Sequence, residues 1–257
     1  MQEIRKNLKD LEILRSTRNF KLFYRRHTLY AIKNHENSQC DWRNLQAFSS
    51  MGEVYTTVKN TYNKIAPHFD ATRQKTWKEV EKFIDSQPKG TLLLDLASGT
   101  GRHALYAENQ GLNPVAGDFS ISQLRQLRKK DKPIPLIILD LLNLPFKNHT
   151  FDSVIYIAAI HHLETEKSRI ESLREADRIL KPGSDLLVSA WALDQSRFKN
   201  KATYGDIHYL WDKKYPRFYH LFRAKELDDI VKKADISVVD SYRIKDNIYV
   251  RSRTKDQ

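Results

Sequence analysis

Cysteine is almost missing from this chain. Cys40 is the only one among 257 residues, which excludes an intrachain disulfide, a cysteine-type zinc site and a paired-thiol centre. Long apolar runs are missing as well. No stretch approaches membrane-spanning length and no secretory signal opens the chain, so the expected setting is the cytoplasm, with the nucleus as second compartment. Glu3, Asp10 and Glu12 argue against a mitochondrial presequence. Internal repeats and low-complexity segments are absent. No Gly-Lys-Ser/Thr follows a glycine turn, which argues against a triphosphate-binding loop, and no G-x-G-x-x-G occurs.

What is abundant is positive charge. Forty-four Lys and Arg face 32 Asp and Glu, a formal net charge of +12. Such a balance fits a polyanionic partner, nucleic acid before membrane. Apolar content of 40 % suffices for the core of one large α/β domain with additions. Residues 1–50 form a basic N-terminal extension, in which Ile4, Leu8, Leu11 and Leu14 have helical spacing. Met51 is an alternative start. Residues 51–257 carry the main domain. No element is assigned to 54–77, and a helix follows to about Ser86. Apolar runs then predict strands at 92–96, 114–117, 135–139, 153–158, 185–190, 236–242 and 247–251. Helices fit 102–110, 120–130, 167–180 and 225–233. This alternation implies a mostly parallel sheet covered on both faces.

The stretch "LLLDLASGTGRHALYA" from Leu92 to Ala107 is a buried strand, a small-residue turn and a helix start. Its turn lets backbone approach a ligand closely, and the helix start offers free N–H donors. Asp95 ends the first strand. Asp118 ends the next run, at the offset where a Rossmann-like unit places a ribose-binding carboxylate. Asp140 ends a third. Three strand-terminal acids on one sheet edge describe a nucleoside site. The pattern D-x-x-S-G-x-G resembles the S-adenosylmethionine (SAM) loop of class I methyltransferases. Residues 193–223 break the alternation. In them Phe198, Tyr204, Tyr209, Trp211, Tyr215, Phe218, Tyr219 and Phe222 interleave with lysines and arginines, a combination suited to single-stranded RNA. A small aromatic cap over a substrate pocket is the other reading, and the two are compatible.

Longer stretches are more specific. "YNKIAPHFDATRQKTW", "LNLPFKNHTFD", "IAAIHH", "SAWALDQ" and "RFYHLFRAKEL" resemble the eukaryotic tRNA methyltransferase family that converts 5-carboxymethyluridine at the wobble position to its methyl ester. The resemblance covers about Tyr55 to Arg251. It implies a seven-stranded class I methyltransferase sheet with helices on both faces, SAM as cofactor, tRNA as substrate, and a heterodimer with a small zinc-binding activator subunit. That subunit docks along the exposed edge strand, here 135–139. Ala97 stands where the family has glycine, the long polar insert that some members carry before "RFYHLFR" is missing, and the N-terminal block is extra.

The resemblance also implies roles. A carboxylate is already ionised at neutral pH, so methylating it needs no general base, only positioning and electrostatics. A cation holding the non-attacking oxygen would fix geometry without quenching the nucleophile. Arg73 is the first candidate for that grip. His161 and His162 sit on the acceptor side, and Arg217, Tyr219, His220 and Arg223 are substrate-side residues. Asp95, Gly99 and Gly101 are assigned to the methionine end of SAM, Asp118 to the ribose, Asp140 with Leu141 to the adenine, and Tyr62 closes over the cofactor. No metal site is expected. The alternatives are a class I methyltransferase of small carboxylates or quinone precursors, and a non-catalytic RNA-binding subunit of the same fold.

Overall fold

The computed structural model describes the backbone of residues 20–25 and 28–33, and the whole of residues 52–198 and 205–256. Strands β1 (Phe20–Arg25) and β2 (Thr28–Lys33) form an antiparallel hairpin. Helices α1 (Glu53–Thr72) and α2 (Lys78–Asp85) follow. The alternating core then runs β3 (Leu92–Leu96), α3 (Arg102–Asn109), β4 (Asn113–Asp118), α4 (Ile121–Arg128), β5 (Leu136–Ile138), β6 (Phe151–Ile157), α5 (Glu166–Ile179) and β7 (Leu180–Trp191). A separate hairpin of β8 (Asp206–Trp211) and β9 (Tyr215–His220) comes next. Helix α6 (Glu226–Lys233) and the strands β10 (Ser237–Ile244) and β11 (Asn247–Arg253) close the order.

Local chemistry accounts for most of these boundaries. In β3 the side chains of Leu93, Leu94 and Leu96 are wholly buried, as a parallel strand covered on both faces requires. The Ser120 hydroxyl accepts the Gln123 N–H and starts α4. Thr165 and Ser168 cap α5 reciprocally. Helix α5 stops at Ile179, and the chain enters β7 at once, passing Pro182 and Gly183 (φ 70°) within an irregular start. Helix α1 was invisible to periodicity because Pro67 lies inside it. Proline removes an intrahelical donor and normally ends a helix; packing of its buried Val58, Ile65 and Ala66 outweighs that cost here.

The main sheet has the order β1-β2-β5-β4-β3-β6-β7-β11-β10. Its last seven strands are the expected class I methyltransferase sheet, parallel except for β11, which runs antiparallel between β7 and β10. The other two correct an expectation. The strand read as a bare edge awaiting a partner is paired within the chain. Thr28, Leu29 and Tyr30 lie parallel to Leu136, Ile137 and Ile138. Strands, not a helix, take this edge, because an extended segment satisfies unpaired backbone groups and a helix cannot. The helical spacing read at residues 4–14 lies outside the described residues. No helix among the described residues is long and apolar enough to cross a membrane.

Candidate active site

The order of strands reverses between β3 and β6, and a pocket opens there beyond the carboxyl ends of the strands. This is where open α/β sheets bind ligands. Counted out to its mouth it holds about 880 Å³, within the range of small-molecule sites. Its floor is the β3–α3 turn, with Ala97, Ser98, Gly99 and Thr100. One wall is Asp118, Phe119, Leu139 and Leu141, another is Ile157, Ala158, Ala159 and His162, and Tyr55, Val58, Tyr62 and Phe69 of α1 form the roof.

The turn is built in left-handed backbone. Ala97 (φ 61°), Gly99 (φ 55°) and Gly101 (φ 76°) all adopt it, as does Ala158 (φ 53°) across the pocket. For the alanines this costs about 1 kcal/mol each, strain of a kind that collects at ligand sites. Gly101 is needed for packing rather than for ligand contact. It does not line the pocket, and a Cβ there would stand 2.2 Å from Leu127 Cδ2. Gly99 does line it.

The three acids divide. Asp118 lines the pocket, and its carboxylate accepts the N–H groups of Gly99 (2.9 Å) and Ser120 (2.8 Å). Burial pushes it up to about 6 against those bonds. Asp95 is turned away, accepting the Ala104 N–H at 3.1 Å and so tying α3 to β3; burial pushes it up to about 7. Asp140 is not on the pocket wall either. Its Oδ1 accepts the Leu142 N–H (3.1 Å) and the Tyr55 hydroxyl (3.3 Å), so what it presents to the pocket is the Tyr55 ring. Asp95, Gly101 and Asp140, assigned to the methionine end and the adenine, thus stand behind the wall that Gly99 and Asp118 line.

The paired histidines also divide. His162 lines the pocket; its Nδ1–H donates to the Phe218 carbonyl (2.7 Å), leaving Nε2 to accept the Tyr62 hydroxyl (2.8 Å). Burial drives it down to about 3, so it is neutral at physiological pH. His161 lies behind it, its Nδ1 accepting the Trp191 N–H at 3.2 Å, and burial holds it well below the usual histidine range. Neither is poised as a general base. The 3-10 turn at Ile160–His162 sends the two adjacent rings to different neighbours.

The β8–β9 hairpin leans on α1, with the Thr61 hydroxyl donating to the Pro216 carbonyl at 2.7 Å. Most of its aromatics face inward. Tyr219 stacks on Trp191 with centroids 4.5 Å apart, and Phe198, Trp211, Phe218 and Phe222 are buried. These buried rings fit the reading of an aromatic cap. His220 is corrected as a substrate-side residue: it bridges Asp206 (2.6 Å) and Glu226 (2.7 Å), fastening the hairpin to α6. Arg223 is exposed, and its N–H donates to Glu226. Arg217 is buried. Arg73 is exposed, does not line the pocket, and lies over the Trp211 ring at 5.3 Å.

Periodicity missed several wall residues. Tyr55 and Phe69 sit on the helix that Pro67 hid. Arg102 lines the pocket and lies 4.9 Å from the Trp77 ring. Its signal was legible in principle, since a cation in the first turn opposes the helix dipole and calls for another reason. Two buried polar atoms of pocket residues, Ser98 Oγ and His103 Nε2, have no partner. With Asp118, Arg102 and the apolar wall of Phe119, Leu139 and Leu141, they suit a ligand that is part nucleoside and part zwitterion. Among the described residues no cluster of His, Cys, Asp and Glu could hold a metal.

Residues 94–188 match a methyltransferase domain family. The chain is 30 % identical over 220 residues to the tRNA (carboxymethyluridine(34)-5-O)-methyltransferase of Schizosaccharomyces pombe, covering 75 % of this chain and 94 % of that one. The chain belongs to the tRNA (carboxymethyluridine(34)-5-O)-methyltransferase family. A member from Saccharomyces cerevisiae is 37 % identical, with 54 % of this chain and 49 % of that one covered. In the longer Xenopus tropicalis member the identity is 34 %, over 65 % of this chain and 27 % of that one. This chain thus spans nearly all of one relative, about half of another and about a quarter of the third. Among solved structures, a Burkholderia thailandensis 1,6-didemethyltoxoflavin-N1-methyltransferase with bound S-adenosylhomocysteine has the same fold. Its TM-score is 0.63 at 16 % identity, over 88 % of this chain and 96 % of that one. A Haloferax volcanii methyltransferase structure in complex with the Trm112 activator gives 0.64 at 14 %, over 78 % and 98 %.

Proposed function

We propose that this family member transfers a methyl group from SAM to the carboxylate of 5-carboxymethyluridine at the tRNA wobble position. The observation that carries the reading is a small-molecule pocket beyond the carboxyl ends of the strands, bordered by a neutral His162 whose Nε2 already accepts the Tyr62 hydroxyl, on a chain of this family. When bound, SAM supplies a methyl on a sulfonium sulfur, which a carboxylate oxygen takes as the carbon–sulfur bond breaks with its electron pair left on sulfur. No proton moves. Asp118 would accept the ribose hydroxyls, Arg102 and the β3–α3 turn would face the amino-acid end, and Leu139 with Leu141 would pack on the adenine. Tyr62 and His162 exclude water between this pocket and the hairpin. The test is mass spectrometry of wobble nucleosides after incubating purified full-length chain and SAM with tRNA bearing 5-carboxymethyluridine. Methyl ester supports the reading; methylation of small carboxylates alone, or SAM binding without transfer, favours one of the alternatives.

The RNA surface is narrower than the aromatic count implied. Lys213 and Lys214 are exposed at the β8–β9 turn, whereas Arg217 is buried. Changing both lysines to alanine is expected to weaken tRNA binding and to lower the slope of log affinity against log salt by about two units, about one per phosphate contact. A slope equal to the parent's places the RNA elsewhere.

The same reading includes a small zinc-binding activator subunit as partner, in keeping with the complex named for the Haloferax volcanii relative in fold. On this chain its docking strand would pair with β5 in place of β2.

A further inference from the structure

Arg217 is 4 % exposed and sits among rings. Its guanidinium carbon lies 5.0 Å from the Trp211 ring, 5.2 Å from Tyr219 and 5.9 Å from Tyr62. Arg169 is equally buried, but its Nη1 donates to the Leu163 (2.8 Å) and Glu164 (3.3 Å) carbonyls, and the half-buried Arg178 pairs with Glu175. Among the described residues no carboxylate stands within ion-pair distance of Arg217, and its Nε has no acceptor. A cation buried without a counter-ion is costly to the fold. Its place explains what it is for. The Tyr62 hydroxyl lies against the guanidinium and also donates to His162 Nε2, and both of those residues line the SAM pocket. Arg217 therefore stands one side chain behind the wall through which an acceptor must meet the methyl group. Arg73, the other cation touching Trp211, is exposed and already donates to the Thr72 carbonyl.

We propose that Arg217, not Arg73, grips the acceptor carboxylate, and that its missing counter-ion makes the site select an anionic acceptor over a neutral one. The inference rests on the carboxylate methylation proposed above. One carboxylate oxygen replaces the Tyr62 hydroxyl against the guanidinium, while the other faces the pocket and attacks. Gripping only the non-attacking oxygen holds the geometry and leaves the nucleophile its charge. The consequence extends to turnover. Methylation removes the substrate's charge, so the ester leaves Arg217 unpaired again and is held less tightly than the acid. The pairing that admits substrate thus expels product.

The experiment compares three anticodon stem-loops bearing carboxymethyl-, carbamoylmethyl- or methoxycarbonylmethyluridine at the wobble position. Their binding to the full chain is measured with S-adenosylhomocysteine present, and turnover of the acid is measured with SAM. The parent is expected to bind the acid about tenfold more tightly than the amide or ester, the strength of a charge-assisted pair. Arg217→Gln should bind all three alike and raise KM for the acid about 10- to 100-fold, with S-adenosylhomocysteine affinity unchanged. Arg73→Ala should keep the preference. The proposal is overturned if Arg217→Gln retains the preference, if Arg73→Ala abolishes it, or if the parent shows none. If the glutamine variant loses S-adenosylhomocysteine affinity, Arg217→Lys decides. A lysine that keeps the anion preference at a higher KM supports the grip, and one indifferent to charge refutes it. Parent protein that prefers the acid yet does not methylate it leaves Arg217 in place and removes the proposed reaction instead.

Discussion

Asp118→Ala raises the SAM dissociation constant about 10- to 100-fold, as calorimetry on the folded variant will read it. The size follows from losing charge-assisted contacts to the ribose, roughly 1.5–3 kcal/mol, together with the anchor on the Gly99 N–H. The same carboxylate sets a pH dependence. Burial raises it to about 6 in the protein without ligand, above its value of about 3.9 in an unfolded chain. Hydroxyl donors from a ribose favour the ionised form, so affinity is level above pH 6 and falls by up to about tenfold per pH unit below it. Stability of the ligand-free protein runs the opposite way. Raised carboxylates favour folding when protonated, so the contributions of Asp118 and of Asp95 (about 7) are fully present below about pH 4 and lost as pH rises through 6 and 7. The thermal midpoint should therefore increase as pH falls from 8 to 5, while SAM affinity decreases. An Asp118→Asn protein whose SAM affinity still tracks pH around 6 would show that another group binds the ribose.

Removing residues 1–50 is expected to turn a soluble chain into one that aggregates unless a partner is present. Strand β5 is three residues long and apolar on both faces, with Leu136, Ile137 and Ile138 all buried. Without β2 its outer edge has open donors and acceptors beside apolar side chains, a surface that pairs with other chains. A small activator subunit adding a strand there would cover it by β-augmentation. Size-exclusion chromatography of the full chain and of 51–257, each with and without that subunit co-expressed, separates the cases. The full chain alone should be monomeric, the truncation alone aggregated, and the truncation with the subunit a heterodimer. A monomeric truncation on its own would show that β5 needs no cover.

The fold was readable because its signals are periodic. The runs ending in Asp95, Asp118 and Asp140 placed three strands and one sheet edge, since parallel strands read as unbroken apolar stretches. What each acid does was not readable. A strand-end carboxylate can face a ligand or turn back to a helix N–H, and Asp118 and Asp95 differ in that respect at the same kind of position. The histidine pair marked a strand end beside the pocket, but only the 3-10 turn assigns His162 to the wall and His161 behind it. Of the roof, Tyr62 was named, but its helix was lost at Pro67, which interrupts a helix in sequence and not in space. In the insert, charge and aromaticity were both visible. The unbroken burial along β9 from Arg217 to His220 was not, because it depends on α1 lying against the hairpin.

The roof and its brace lie far apart along the chain. Helix α1 is made before β3 to β7 and the β8–β9 hairpin after them, and the Thr61–Pro216 bond spans 155 residues. A chain emerging from the ribosome can lay down β3 to β7, with their local α/β crossovers, while its pocket still lacks support from above. Distant contacts of this kind form late, since their loop-closure entropy must be met first. Cofactor affinity should therefore arise as a last event of synthesis, once about 220 residues are free. A truncated translation product would be well structured yet unable to hold SAM.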